Sequence, residues 1–209
     1  MQLLIVGASG HGSVVADCAE AMGVYNKIQF IDDRFPTRNK IGQWPVVGTL
    51  ADIIHFTDER TQVFVAIGNN QVRLKVSKVL LEDYQLDFAT LIHPSAIVSP
   101  YAKIAPGTLI CAQAVINPYA SVGEGCIVNT AASIDHDNTI GDYVHVSVGA
   151  RLAGTVNVGN CSFICINATI SNNINVGEGV TVGAGAVVIN DVPDNATVVG
   201  VPAKLVNTQ

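Results

Sequence analysis

SVGEGCIVNTAASIDHDNTIGDYVHV, residues 121–146, places an aliphatic side chain at every sixth position: Val122, Val128, Ile134, Ile140 and Val146. The series runs back without a miss through Ile116, Ile110 and Ile104 to Val98. It runs forward through Leu152, Val158, Ile164, Ile170, Val176 and Val182 to Val188. A period of six fits neither an amphipathic helix at 3.6 residues nor a flat strand at 2, so it belongs to a unit that coils and stacks. Short strands on the faces of a three-sided prism provide such a unit, with the aliphatic ladder filling the narrow interior. Sixteen hexads make about five coils, and at a strand spacing of ~4.8 Å the rod is roughly 25 Å long. Gly123, Gly141, Gly159 and Gly177 each follow an inward aliphatic and recur every eighteen residues, one full coil. They are expected to mark one corner of the prism, where an unusual φ is needed.

Before the hexads the pattern changes. Leu3 to Val6 reads as a buried strand, Gly7-Ala-Ser-Gly-His-Gly12 as a turn, and Ser13 to Met22 as a helix stopped by Gly23. Ile28 to Ile31 and Val63 to Ile67 are further strands, Val46-Val47 starts another, and Val72 to Tyr84 is helical. Strands alternating with helices imply a parallel sheet. The expected organisation is a small Rossmann-like α/β lobe over residues 1–91, followed by a β-helix and tail over 92–209.

Lys and Arg number 11 against 17 Asp and Glu, a net charge of −6, so there is no basic excess for a nucleic-acid partner. No apolar run approaches the roughly 20 residues that span a bilayer, and the start lacks a signal-peptide pattern. A cytoplasmic protein is expected. Cys18, Cys111, Cys126, Cys161 and Cys165 form no C-x-x-C pair, which suggests neither a disulfide framework nor a zinc ribbon.

Two places point to chemistry. Backbone N–H groups at the glycine turn suit a phosphate, and Asp32 and Asp33 twenty residues on suit sugar hydroxyls. The spacing G-x-x-G-x-G departs from the dinucleotide fingerprint, and the lobe is short for a dinucleotide fold, so a mononucleotide-linked sugar is the expected ligand. In the rod, His136 lies in the cluster Asp135-His136-Asp137 and His145 precedes inward Val146. Neither occupies the aliphatic ladder, so both are expected on the flank or a corner. Carboxylates on either side of His136 can orient its ring and raise its basicity.

The sequence GASGHG, then IDD, AIGNN, the hexads carrying HDNTIGDYVHVSVGA, FICINATI, and GVPAK at 200–204 resembles the NeuD/PglD family of nucleotide-sugar acetyltransferases. The resemblance implies a left-handed β-helix, acetyl-CoA as co-substrate without a metal, and a homotrimer with active sites between neighbouring β-helices. It also implies acetyl transfer to the 4-amino group of a nucleotide-linked 4-amino-4,6-dideoxy sugar in bacterial surface glycan, lipopolysaccharide or glycoprotein synthesis. The alternative is O-acetylation of sialic acid or another sugar. Matched residue by residue, Ser9, Gly10 and His11 fall to the nucleotide-sugar turn and Asp32 with Asp33 to the nucleotide part; base recognition is expected from backbone contacts around Asp32, Gly68 and Asn69. His136 matches the general base, and His145, Ile166 and Ala184 match acetyl-CoA contacts. Where PglD-like sequences have Glu after the base, this chain has Asp137, and either Asp137 or Asp135 supports the histidine. A backbone N–H near His145 or Gly154 is expected to hold the oxyanion. The other classes open to this sequence are a zinc hydratase using His93, His136 and His145, a nucleotidyltransferase, and a sugar-nucleotide sensor without turnover.

Overall fold

The computed structural model describes residues 1–206; residues 207–209 of the expected second domain lie outside the described residues. The chain forms two compact units divided between Pro94 and Ser95.

In the first unit, five strands lie in the order β3-β4-β2-β1-β5. They are β1 (Gln2–Val6), β2 (Lys27–Ile31), β3 (Lys40–Ile41), β4 (Trp44–Gly48) and β5 (Thr61–Val65). β1 runs parallel to both β2 and β5, β2 runs parallel to β4, and only β3 is antiparallel. The run of four buried residues in β1 is what a strand covered on both faces requires. Leu4, Val6, Ile31, Ile53, Val63, Val65 and Leu80 form one core of this unit. Helix α1 (Gly10–Met22) starts three residues before the expected Ser13. The turn is therefore only Gly7 to Ser9, and Gly10, His11 and Gly12 already belong to the helix. Gly12 explains the early start: a Cβ there would collide with the Gly7 carbonyl and the Phe30 ring, so the first turn packs tightly on the sheet. The helix ends on Gly23 at φ 68°, whose N–H donates to the Glu20 carbonyl. Helix α2 (Asn70–Glu82) begins with Asn69 accepting from the Val72 N–H.

The second unit is the parallel β-helix expected from the hexads, with the left hand that the resemblance implied. Two-residue strands stack in parallel, each paired with the strand eighteen residues on, as in Ile116 beside Ile134 and Leu152. One face carries six strands from Ile97–Val98 to Val187–Val188, and a second carries five from Lys103–Ile104 to Asn175–Val176. From Ile110 to Val188 every inward aliphatic is buried, and only Val98 and Ile104 in the first coil are half-buried. Each fully buried Val or Ile contributes about 1.5–3 kcal/mol relative to exposure.

A second buried column lies two residues before the first, unmarked by the aliphatic count. Thr108, Ala114, Ala120, Cys126, Ala132, Asn138, Val144, Ala150, Val156, Ser162, Ala168, Ile174, Val180 and Ala186 all sit inside the rod. Its rule is mostly small size, because the interior near the corner is narrow.

The corners are not turned by the eighteen-residue glycines. From Gly107 to Gly185 every sixth residue has positive φ, fourteen in all, and nine of them are not glycine, including Ala131, Asp137, Tyr143 and Thr155. Gly123, Gly141, Gly159 and Gly177 are absent from that set. They are glycine for space: a Cβ on Gly123 would strike the Asp142 carboxylate, on Gly141 the Asn160 amide, and on Gly177 the Asp194 carboxylate. Those side chains cap the backbone of the preceding coil, since Asp142 accepts from Glu124 N–H, Asn160 from Asp142 N–H and Asp194 from Glu178 N–H, each at 2.8 Å.

Candidate active site

In the first unit a cavity of about 350 Å³ opens at the carboxyl ends of β1, β2 and β5. In a parallel sheet this is where ligands bind, at the reversal of strand order. Val6, Ile31, Leu50, Ala66, Ile67 and Val76 make apolar walls, while Ser9, Asp32, Asp33, Arg34 and Gly68 supply polar edges. The structure thus brings Ser9, Asp32, Asp33 and Gly68 to one cavity, whereas Gly10, His11 and Asn69 are not among its lining residues.

Asp32 is heavily engaged. Its Oδ1 accepts from Arg34 N–H and Nε, and its Oδ2 from Arg34 Nη2 and Ala8 N–H, at 2.7–3.0 Å. These four bonds fill the acceptor sites of a carboxylate. Hydrogen bonds from the Arg34 side chain first, then from the Arg34 and Ala8 backbone, hold the acid down at about 2 against the opposing effect of burial. Arg34 Nη2 and Arg38 Nη1 both donate to the Ala8 carbonyl, at 2.8 and 2.9 Å. Asp33 keeps acceptor capacity, with one long 3.4 Å bond from Leu50 N–H. Arg34 belongs to no motif in the sequence, and its only signal there is its position two residues beyond an acid. His11 is held neutral near pH 7, with its pKa lowered to about 4 by burial and then by the charge of Arg73.

In the second unit His136 stands exposed on a coil corner, as expected. Its Nδ1 lies 2.8 Å from Asp137 Oδ2. Asp135 faces elsewhere: its Oδ1 accepts from Asn117 Nδ2 and from the His136 backbone N–H, both at 2.7 Å. Of the two flanking acids, Asp137 is therefore the one on the ring. The imidazole pKa is raised, first by the bond to Asp137 and then by the charges of Asp135 and Asp137, against desolvation. Gly154, one coil on, leaves room for the ring, since a Cβ there would lie 2.6 Å from His136 Cε1 and Nε2. Under the corner, buried Asn138 donates from Nδ2 to the carbonyls of Asp135 and Ala153; its signal in the sequence is that it is the only amide in its column.

His145 was expected on the flank but is 8% exposed. It stands in register between Ile127 and Phe163, with its ring 5.0 Å from that of Phe163 and its Nε2 3.2 Å from Asn129 Nδ2. An outward strand position is covered when its neighbours along the column are this large. Ile166 and Ala184 are exposed and occupy equivalent points of successive coils, linked by Gly185 N–H to Ile166 O at 2.9 Å. Their corner and that of His136 lie at opposite edges of the face carrying Ser133–Ile134 and Arg151–Leu152. Among the described residues no group of three His, Cys, Asp or Glu side chains is placed to hold a metal ion, and His93, His136 and His145 do not converge. Nor is any helix among them long and apolar enough to cross a membrane.

A parallel α/β lobe with a cavity at its strand ends, joined to a hexapeptide β-helix bearing a carboxylate-bound histidine, defines a hexapeptide-repeat acyltransferase. Residues 2–80 match the PglD N-terminal domain. The acetyltransferase domain of PglB from Neisseria gonorrhoeae FA1090 is 41% identical with a TM-score of 0.94, over 98% of this chain and 99% of that one. That domain is also known in complex with acetyl coenzyme A. PerB from Caulobacter crescentus, in complex with CoA and GDP-perosamine, is 32% identical with a TM-score of 0.93, over 99% and 98% of the two chains. The UDP-N-acetylbacillosamine N-acetyltransferase of Bacillus subtilis (strain 168) is 38% identical over 109 residues, 50% of this chain and 48% of that protein. The match thus spans about half the length of that relative. The chain belongs to the NeuD/PglD family of nucleotide-sugar acetyltransferases.

Proposed function

We propose that the protein transfers acetyl from acetyl-CoA to the 4-amino group of a nucleotide-linked 4-amino-4,6-dideoxy sugar, by direct attack with His136 as general base. The observation that carries this reading is the His136–Asp137 pair, 2.8 Å apart on an exposed corner. With Nδ1–H given to the carboxylate, Nε2 is left as the acceptor. The acceptor amine is nucleophilic only when unprotonated, so a neutral Nε2 takes its proton as nitrogen bonds to the thioester carbon. The tetrahedral oxyanion then collapses, the C–S bond breaks and CoA thiolate leaves, with no acyl-enzyme. Gly154 lies beside the ring, and its N–H donates to nothing among the described residues, which makes it the donor assigned to the oxyanion.

The acceptor's nucleotide is assigned to the first-unit cavity. Its apolar walls suit a base, Asp33 a sugar hydroxyl, and Arg34 with the start of α1 the diphosphate. The relatives above support the substrate class, as their names include a UDP-sugar N-acetyltransferase and a complex with GDP-perosamine. Ile166 and Ala184 are assigned to acetyl-CoA in a homotrimer, where the corner of one β-helix meets the His136 corner of its neighbour.

The test is CoA thiol release from acetyl-CoA with UDP-, dTDP- and GDP-linked 4-amino-4,6-dideoxy sugars and sialic acid, for the wild type and His136→Ala. Release with one amino sugar is expected, with kcat about 10²–10⁴ lower in the variant. Release with sialic acid alone moves the assignment to O-acetylation, and full turnover by His136→Ala removes the histidine from the mechanism.

A further inference from the structure

The buried column that begins at Thr108 has four members able to donate a hydrogen bond from the side chain: Thr108, Cys126, Asn138 and Ser162. Three of them do the same thing. Thr108 Oγ1, Cys126 Sγ and Ser162 Oγ each donate to the carbonyl fifteen residues on, at Gly123, Gly141 and Gly177, over 2.7–3.0 Å. These bonds tie one coil to the next.

Asn138, 1% exposed, makes the equivalent bond to the Ala153 carbonyl at 2.9 Å. It also does what the others do not. Its Nδ2 reaches back into its own corner, to Asp135 O at 2.8 Å and His136 O at 3.3 Å. An amide nitrogen has two hydrogens for these three carbonyls, so one N–H serves Ala153 and the other is shared between Asp135 and His136. Oδ1 is buried and accepts from no group among the described residues, so the donor end is the part of the amide in use.

The corner needs such a hold. The His136 side chain is 53% exposed, and its ring is bounded by Asp137, at φ 57°, and by the bare Gly154 backbone. With so little packed around the ring, its aim depends on the peptide groups beneath it. We propose that Asn138 is a positioning residue for His136, clamping the Asp135 and His136 carbonyls from inside the rod so that the imidazole stands over Gly154. This rests on His136 acting as the base.

Serine at position 138 separates the two jobs of the amide, because a hydroxyl can keep the bond to Ala153, as Ser162 does in its coil, but is too short to hold the corner carbonyls. Asn138→Ser is expected to melt within a few degrees of the wild type and to keep both KM values within about twofold. Its kcat is expected to fall about 10- to 100-fold, the scale of an ångström's misplacement. The readout independent of turnover is an NMR titration of the His136 ring. Loosening of the Nδ1–Asp137 bond lowers the ring's midpoint while the charges facing it, Asp135 and Asp137, are unchanged. A wild-type kcat, or a reduced kcat with an unmoved His136 titration, overturns the proposal. Full turnover by His136→Ala overturns the base reading instead, and the ring titration still decides whether Asn138 sets the corner.

Discussion

His136 and Asp137 are neighbours in sequence, yet adjacent side chains do not ordinarily face each other. The left-handed backbone of Asp137, φ 57°, turns its carboxylate back onto the imidazole, while Asp135 is drawn off to Asn117 and the His136 N–H. The D-H-D cluster was plain in the sequence; which acid serves the ring was not, because that depends on a corner torsion. The pH dependence follows. A base works in its neutral form, so raising the imidazole pKa above 6.5 moves the acid limb of kcat/KM upward. Asp137→Asn keeps the size and tolerance of positive φ but loses the charged acceptor. Its acid limb is expected to move down in pH, with kcat reduced about 10- to 100-fold. A limb that stays in place in a pH–rate profile would show that Asp137 does not set the ring's basicity.

At the scale of the coil, two kinds of position look alike in sequence and differ in physics. Gly141 has an ordinary φ but no room for a Cβ, because Asn160 and its backbone close over it. Thr155 has φ 60° and an open, exposed site, but its branched side chain is poorly suited to that torsion. Gly141→Ala is expected to cost about 1–3 kcal/mol. Thr155→Asn is expected to stabilise by about 0.5–1 kcal/mol, a rise of about 1–4 °C in Tm. Thermal melts of both variants check the pair, and opposite signs are the requirement. The aliphatic hexads were legible because burial selects them at one fixed phase. The column from Thr108 to Ala186 was not, because it is selected mainly for smallness, which Ala, Cys, Ser and Thr satisfy without forming a hydrophobic pattern. The start of α1 at Gly10 was hidden for a related reason: glycines that usually signal a turn are there to let a helix lie close against Phe30.

At the scale of the molecule, the two units carry different parts of the proposed reaction: the first the cavity edged by Asp33 and Arg34, the second the base. Within the β-helix the parts are divided again. His136 and the pair Ile166 and Ala184 occupy opposite edges of a face, so one prism does not bring the proposed base and the proposed acetyl-CoA corner together. In a closed ring of three prisms, an edge of each meets the other edge of the next. Light scattering should then give a mass three times that of the chain, and the stricter test is complementation. His136→Ala and Ala184→Arg are each expected to be inactive, the second because a long cation fills the exposed position proposed to contact acetyl-CoA. When the two are unfolded together and refolded as mixed trimers, a site is whole if the chain giving His136 is the Ala184→Arg one and the chain giving Ala184 is the His136→Ala one. Random assembly from equal amounts makes about one site in four whole. Recovery of roughly a quarter of wild-type turnover therefore supports sites shared between chains. If the mixture stays as inactive as its parents although mixed trimers have formed, base and acetyl-CoA contact belong to the same chain, and the division across the prism face has no catalytic meaning.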